Sequence, residues 1–151
     1  CRDKGLDAIQ GDGIAWLSGQ PDNSIDVISA FQVVEHLSFL DLVRLLDIVL
    51  RVLAPGGVGI FETPNPENLI VGACNFYYDP THRHPLPPPM LAFVAEQRGF
   101  VRAEILRLNA YPESMHLRGQ DGEVGEVAER LNHLLYGPQD YALIVGKRHA
   151  G

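Results

Sequence analysis

The sequence predicts an α/β fold with a mainly parallel sheet and an antiparallel hairpin at its C-terminal edge. Three observations carry this reading. Ile25 to Phe31 reads Ile-Asp-Val-Ile-Ser-Ala-Phe, a mostly apolar run suited to a strand buried on both faces. Phe39 to Leu53 repeats apolar residues at three- and four-residue steps, and Pro55-Gly56-Gly57 then turns the chain into the next apolar run, Val58 to Glu62. Last, Phe100 to Leu108 and Tyr141 to Lys147 are strand-like runs enclosing a helical segment, which suits a hairpin at the sheet edge. Strands that alternate with helices imply a sheet covered on both faces.

In chain order, Asp7-Ala8-Ile9-Gln10 reads as a short strand ending in the turn Gly11-Asp12-Gly13. Ile14 to Ser18 is a short helix, with Trp16 expected in the core. Pro21-Asp22-Asn23-Ser24 has loop chemistry. In the Phe39–Leu53 helix, Ser38 is the N-cap; Leu40, Val43, Leu46, Leu50 and Leu53 form the inner face, with Asp41, Arg44, Asp47 and Arg51 elsewhere. The following strand ends at Thr63-Pro64-Asn65-Pro66, where proline cannot donate to a ladder. Pro87-Pro88-Pro89 starts a helix over Met90 to Arg98, and Gly99 stops it. Tyr111 to Gly122 is a polar loop. Glu123 to Leu135 is an amphipathic helix with Val124, Val127, Leu131, Leu134 and Leu135 expected inward. Gly137 to Asp140 is a turn into the last strand.

At 151 residues, with 46% hydrophobic and 21% charged, residues 1–151 read as one domain with a real core. Twelve Lys and Arg against nineteen Asp and Glu give a net charge of −7, which argues against a general nucleic-acid binder. No apolar run approaches the roughly 20 residues of a membrane span. Cys1 and Cys74 show no metal-ligand spacing, and nothing in the chain reads as a signal peptide, so a reduced, cytoplasmic setting is expected. Position 1 is Cys rather than Met, which suggests a piece of something longer or a processed chain.

Chemistry-bearing residues gather in two places. Phe31-Gln32-Val33-Val34-Glu35-His36-Leu37 ends one strand, and a loop beyond a strand is where an open α/β sheet does its chemistry. Histidine titrates near neutral pH, so His36 suits a base or a substrate-orienting group; equally, Glu35 and His36 can serve to cap and pack the next helix. The second place is Asp79-Pro80-Thr81-His82-Arg83-His84-Pro85, preceded by Phe76, Tyr77 and Tyr78. A loop that only connects has no need of such a cluster. Arg83 offers a planar fork for carboxylate or phosphate. Two His and an Asp can also hold a metal, but His82 and His84 are two apart beside proline and no other ligand cluster is visible, so substrate recognition is preferred and no metal is assigned.

These blocks, with Leu53-Ala54-Pro55-Gly56-Gly57, resemble the later part of a class I S-adenosylmethionine-dependent methyltransferase, a Rossmann-like fold. The resemblance covers nearly the whole chain and is strongest between Gly11 and Pro85. It implies S-adenosylmethionine as cofactor, with Asp12 and Gly13 at its adenine, Phe31 and Gln32 at its methionine end, and Glu35 and His36 at the pocket mouth. Taken alone, Gly11-Asp12-Gly13 is simply a turn. Asp-Pro-Thr-His loops similar to Asp79–His82 occur in bacterial methyltransferases of surface-polysaccharide and O-antigen synthesis. That implies a small polar, saccharide or phosphate-bearing acceptor, with His36 or His82 as catalytic base and Glu35, Asp79, Thr81, Arg83 and His84 contacting the acceptor.

The family also begins with a strand, a Gly-x-Gly-x-Gly turn and a second strand ending in a ribose-binding acid. Neither precedes Gly11 here. The chain is therefore expected to be the C-terminal two-thirds of a methyltransferase domain, a truncated form with weak or absent cofactor binding of its own. The Ile25–Phe31 strand would then need a partner at its outer edge, either Asp7–Gln10 or the same edge of a second chain in a homodimer. A non-catalytic interaction or dimerisation module is the competing function, and a dinucleotide-dependent oxidoreductase is disfavoured for want of its fingerprint.

Overall fold

The computed structural model describes residues 4, 5, 7–119 and 122–151. Helix α1 (Gly13–Ser18) precedes strand β1 (Ile25–Phe31), helix α2 (Phe39–Val52) and strand β2 (Leu53–Pro64). Helices α3 (Leu69–Ala73) and α4 (Pro88–Arg98) follow, then β3 (Arg102–Ala110), α5 (Glu123–Tyr136) and β4 (Pro138–Gly146). The sheet order is β1-β2-β4-β3. β1 and β2 are parallel, as the crossover through α2 requires, while β4 runs antiparallel to both β2 and β3. The Rossmann-like α/β class and the C-terminal hairpin are thus both present. Within these residues the sheet is mixed, because the hairpin inserts β4 beside β2 and leaves β3 at the far edge.

The core lies between the sheet and the helix pair α2–α4. Leu46 and Val49 of α2, Leu91 of α4, and Phe61 and Leu143 of the sheet are all fully buried there. Helix α2 buries Leu42, Leu45, Leu46, Val49 and Val52; of the expected face Leu46 and Leu53 are buried, while Val43 and Leu50 are only half-buried and Leu40 is exposed. The helix is apolar over more than one stripe, so periodicity alone could not choose between them. The N-cap was legible, since Ser38 Oγ accepts from the Asp41 N–H at 3.1 Å.

β2 begins at Leu53, earlier than expected, and contains the Pro-Gly-Gly turn as a bulge. Ile25 pairs with Leu53, whereas Val27 already pairs with Val58. A Cβ on Gly57 would lie 2.8 Å from the Ala54 carbonyl oxygen and 3.0 Å from that of Asp26, so only glycine fits between the strands.

Three further expectations are corrected. Residues 7–10 form no strand; Ile9 is exposed, and β1 pairs only with β2 among the described residues. Asp7–Gln10 therefore does not cover the edge of β1. Trp16 is about half exposed instead of in the core, because the short α1 meets α2 along one side only. In α5, Val124, Val127, Leu131 and Leu134 face outward and only Ala128 is buried. The small side of that helix is the one in close contact: Gly125 and Ala128 lie against Gly119, so shape and not hydropathy sets its rotation. The polar segment 111–122 includes a single 3₁₀ turn, Glu113–Met115; residues 120 and 121 lie outside the described residues.

Tyr141 ties sheet to loop. It is fully buried on the central strand β4, and its hydroxyl donates to the Leu86 carbonyl at 2.8 Å. Burial, with the nearby Glu35 carboxyl, pushes the phenol far above its ordinary pKa, so it serves only as a neutral donor. Tyr141→Phe leaves the Leu86 carbonyl without its donor and should cost about 1–2 kcal/mol. Thermal denaturation should show a drop of a few degrees with an unchanged far-ultraviolet spectrum; an unchanged midpoint would mean that the bond contributes nothing.

Candidate functional site

The site is built where the parallel pair β1–β2 ends. Gln32, at φ 55, turns the chain out of the sheet while its N–H still donates to the Glu62 carbonyl at 2.9 Å. The 3₁₀ turn Val34–His36 follows, driven down by Val34, which is buried in the core. Glu35 is consequently not at the pocket mouth but beneath it, 1% exposed. Its Oε2 accepts from Thr63 Oγ1, at the end of β2, at 2.8 Å. Its Oε1 is buried with no hydrogen-bond partner.

The loop after β2 is folded back over this carboxyl group. Asn65 and Asn68, both buried, donate to the carbonyls of Pro138 and Gly137 at 3.0 and 2.9 Å and fix the loop to the start of β4. Asn68 Oδ1 also caps α3 by accepting from the N–H groups of Ile70 and Val71. The turn Asn75–Tyr78 buries Phe76. The Arg83 N–H then donates to the Glu35 carbonyl at 2.9 Å, and the Tyr141–Leu86 bond holds the chain just beyond.

This folding brings His82 to His36, with ring centroids 4.7 Å apart in an edge-on arrangement. Each Nε2 lies 3.9 Å from Glu35 Oε1. The other ring nitrogens are held. His82 Nδ1 is 2.7 Å from the Phe76 carbonyl, which can only accept, so Nδ1 carries the proton. Thr81 Oγ1 donates to Asp79 Oδ1 at 2.6 Å and must therefore accept from His36 Nδ1 at 2.9 Å. Asp79 also accepts from the Thr81 N–H at 2.8 Å. These Thr81 bonds hold its carboxyl below the usual range, helped by the two histidines. With Nδ1 engaged in both rings, each Nε2 faces the same buried oxygen.

The expected acceptor set divides. Asp79 and Thr81 belong to the histidine network, whereas the side chains of Arg83 and His84 are exposed at the loop surface. The expected cofactor set divides too. Asp12, Gly13 and Phe31 share a largely apolar cleft of about 430 Å³ between α1, β1 and α2. Gln32 instead donates to Asp140 Oδ1 at 3.2 Å. Asp12 Oδ1 is engaged as the cap of α1, accepting from the Ala15 N–H at 2.8 Å, so the plain turn reading is satisfied as well. Val33 and Leu37 line the cleft, and Glu35 and His36 lie on the turn between them, so cleft and histidine cluster adjoin.

The sequence reading missed Glu35 as the buried centre of the cluster, Thr63 as its donor and the Phe76 carbonyl as the acceptor that orients His82. Thr63 could have been suspected from its place at a strand end. A backbone carbonyl leaves no sequence signal. In metal-free protein at alkaline pH, nitrogen-15 spectra should show both His36 and His82 as the Nδ1–H tautomer. Thr81→Val should release His36 to mixed tautomers and leave His82 unchanged; a His82 found as Nε2–H would contradict the assignment.

The family described as "Methyltransferase domain" matches residues 2–61. A probable S-adenosylmethionine-dependent methyltransferase of Mycolicibacterium smegmatis is 38% identical over 80 residues, 53% of this chain and 30% of its own length. The crystal structure of an S-adenosylmethionine-dependent methyltransferase from Archaeoglobus fulgidus superposes with a TM-score of 0.85 at 33% identity, covering 92% of this chain and 66% of that one. A Haemonchus contortus phosphoethanolamine N-methyltransferase, solved with phosphomonomethylethanolamine and S-adenosylhomocysteine, shares the fold at 12% identity, TM-score 0.54, over 87% of this chain and 35% of its own. The chain thus spans 30% of the curated relative and just under two-thirds of the Archaeoglobus protein. No described helix is long and apolar enough to cross a membrane.

Proposed function

We propose that the chain is part of a class I S-adenosylmethionine-dependent methyltransferase, the proteins it resembles, and that the whole protein methylates a polar acceptor, at oxygen or nitrogen, beside His36 and His82. The observation that carries the reading is the convergence of both Nε2 atoms on Glu35, on the turn that also borders the cleft along β1. The family's cofactor supplies a methyl group on a positively charged sulfur. The cleft is apolar and of ordinary ligand size, Phe31 gives it an aromatic wall, and Asp12 keeps its second carboxylate oxygen without a partner among the described residues. These features fit the cofactor, with Asp12 and Gly13 proposed at its adenine and Phe31 toward its methionine end, while Gln32, bonded to Asp140, lies outside the cleft lining.

The chain's own residues then have to position the acceptor and take its proton. Methyl transfer is an in-line displacement, so alignment supplies much of the acceleration. A neutral His36 or His82 with Nδ1–H fixed can accept the acceptor's proton at Nε2, and Glu35 beneath would stabilise the imidazolium formed. Asp79 and Thr81 hold His36 in that orientation. Arg83 and His84, at the open surface of the same loop, are the proposed anchors for an anionic or saccharide acceptor.

In the whole protein, Arg83→Ala should raise the acceptor KM about tenfold or more and leave the cofactor KM unchanged, since it is assigned to one ligand only. His82→Ala should lower kcat by roughly 10²-fold. Equal changes in both KM values, or none, would remove Arg83 from the acceptor site. Calorimetry with S-adenosylhomocysteine tests the cofactor reading separately, and absence of binding to the whole protein would end it.

The free side of β1 supports a homodimer. β1 pairs only with β2 among the described residues, so its other edge is open to a further strand. Light scattering of this chain should give twice the monomer mass, and Val27→Lys should shift it toward monomer, because edge lysines oppose strand pairing. A monomeric mass across the accessible concentration range would rule the dimer out.

A further inference from the structure

We propose that Glu35, His36 and His82 form a binding site for one divalent metal ion of the zinc class, with Glu35 Oε1, His36 Nε2 and His82 Nε2 as ligands. This set is not the one that sequence spacing suggests, which pairs His82 with His84 and an Asp. The fold discards His84 and brings in His36 and Glu35 from the end of β1.

The distances leave no hydrogen bond between either ring and the carboxyl group. A carboxylate that hydrogen-bonds an imidazole does so near 2.8 Å, and 3.9 Å is not a hydrogen bond. Two imidazole nitrogens and one carboxylate oxygen instead surround a common point without touching. The three ligand atoms all lie within 4.8 Å of one another. A point equidistant from them is no more than about 2.5 Å from each, a few tenths of an ångström beyond the 2.0–2.2 Å of zinc bonds to imidazole and carboxylate. Small side-chain shifts close that difference.

Every ligand is also oriented from behind. Thr63 Oγ1 donates to Glu35 Oε2, Phe76 accepts from His82 Nδ1, and Thr81 accepts from His36 Nδ1 while donating to Asp79. Partners on the far side of each ligand are the usual support of a metal site, since they fix the tautomer that frees Nε2. A second observation is independent of this geometry. Glu35 is 1% exposed, and its Oε1, aimed into the cluster, has no hydrogen-bond partner. A buried acceptor left unbonded costs about 1–3 kcal/mol, and a cation removes that cost.

Two imidazoles and one carboxylate select a borderline ion over magnesium or calcium, which prefer all-oxygen shells. Three protein ligands leave a coordination position open, as catalytic zinc sites do. The His36 side is the accessible one, 31% exposed against 13% for His82. The consequence for chemistry rests on the methyltransferase reading; the binding does not. An acceptor hydroxyl at the open position would lose its proton more readily, as metal-bound water does. A ring bound to metal through Nε2 cannot take a proton there, so the ion replaces the histidine base in the loaded protein.

The test is titration of chelator-stripped protein with cobalt(II), followed by displacement with zinc(II). We expect one equivalent, visible absorption bands of a four- or five-coordinate ion, and loss of those bands with one equivalent of zinc. His36→Ala and His82→Ala should each weaken binding by more than the about 10–100-fold typical of a supporting partner, with Thr81→Val inside that range. Glu35→Gln keeps the shape and should also weaken it, while His133→Ala should not. His36 is partly exposed, so its variant tests the site even if Glu35→Gln fails to fold. Absence of stoichiometric binding, or binding that survives His36→Ala and His82→Ala together, would overturn the proposal. If the metal-free whole protein binds S-adenosylhomocysteine but no metal binds, only this inference falls; if metal binds and S-adenosylhomocysteine does not, the cofactor reading falls instead.

Discussion

The structure at the end of the parallel strands depends on a buried carboxyl group. Glu35 lies where β1 has just left the sheet and β2 is about to leave it, and the Thr63 hydroxyl links the two ends through Oε2. One hydrogen bond is poor compensation for taking a carboxyl group out of water. The rest of the local fold is arranged around what remains. The Glu35 backbone carbonyl is taken by Arg83, the two imidazoles face Oε1, and buried Val34 keeps the turn from lifting the group back toward solvent. A hydrophobic residue of similar size at position 35 would pack the space with less cost. An acid in this place therefore makes more sense as part of a site than as part of a core.

The loop over Glu35 is long and prolyl-rich, yet it is anchored at both ends. Asn65 and Asn68 satisfy carbonyls at the start of β4, and Tyr141 in the middle of the same strand holds Leu86. All three bonds run to or from the segment that begins at Gly137, so the central antiparallel strand sets the position of His82 although His82 lies on no strand. Here sheet order matters. Because β4 sits directly beside β2, its first residues meet the loop leaving β2. With β3 in that place, the chain would reach different carbonyls and the two histidines would not be brought together by the same bonds.

Much of this was legible from the residues alone, and the limits have physical causes. The alternation of Ile25–Phe31, the α2 helix and the run after Pro55-Gly56-Gly57 specified the parallel pair because a crossover admits few solutions. The rotation of α2 was not legible, since Leu40, Val43 and Leu50 compete with Leu42, Leu45 and Val49 and only packing against Phe61 and Leu91 decides. The α5 prediction failed for the opposite reason: a clear apolar stripe exists, but the contact is made by Gly125 and Ala128. At the site, Glu35, His36, Asp79, Thr81 and His82 were all identified as chemistry-bearing. Their arrangement was not, because it depends on a contact between His36 and Thr81, 45 positions apart in the chain, and on a backbone carbonyl.

The site also divides along the line that the comparisons draw. Residues 2–61 match the general methyltransferase family and contain the cleft along β1, Glu35 and His36. Thr63, Phe76, Asp79, Thr81 and His82 all come after that segment. The part held in common with a broad family is thus the part facing the cleft, and the part that orients both histidines is supplied by the later loop. Fold alone does not fix chemistry, and function resides in sites placed on it. A loop that adds a second imidazole, fixes both tautomers and leaves Arg83 and His84 at the surface changes the groups presented at the end of the parallel pair without disturbing the strands beneath. On the proposed reading, acceptor choice would follow from Asp79–Pro85 and the three anchors that hold it, while the sheet contributes the buried acid against which the loop is set.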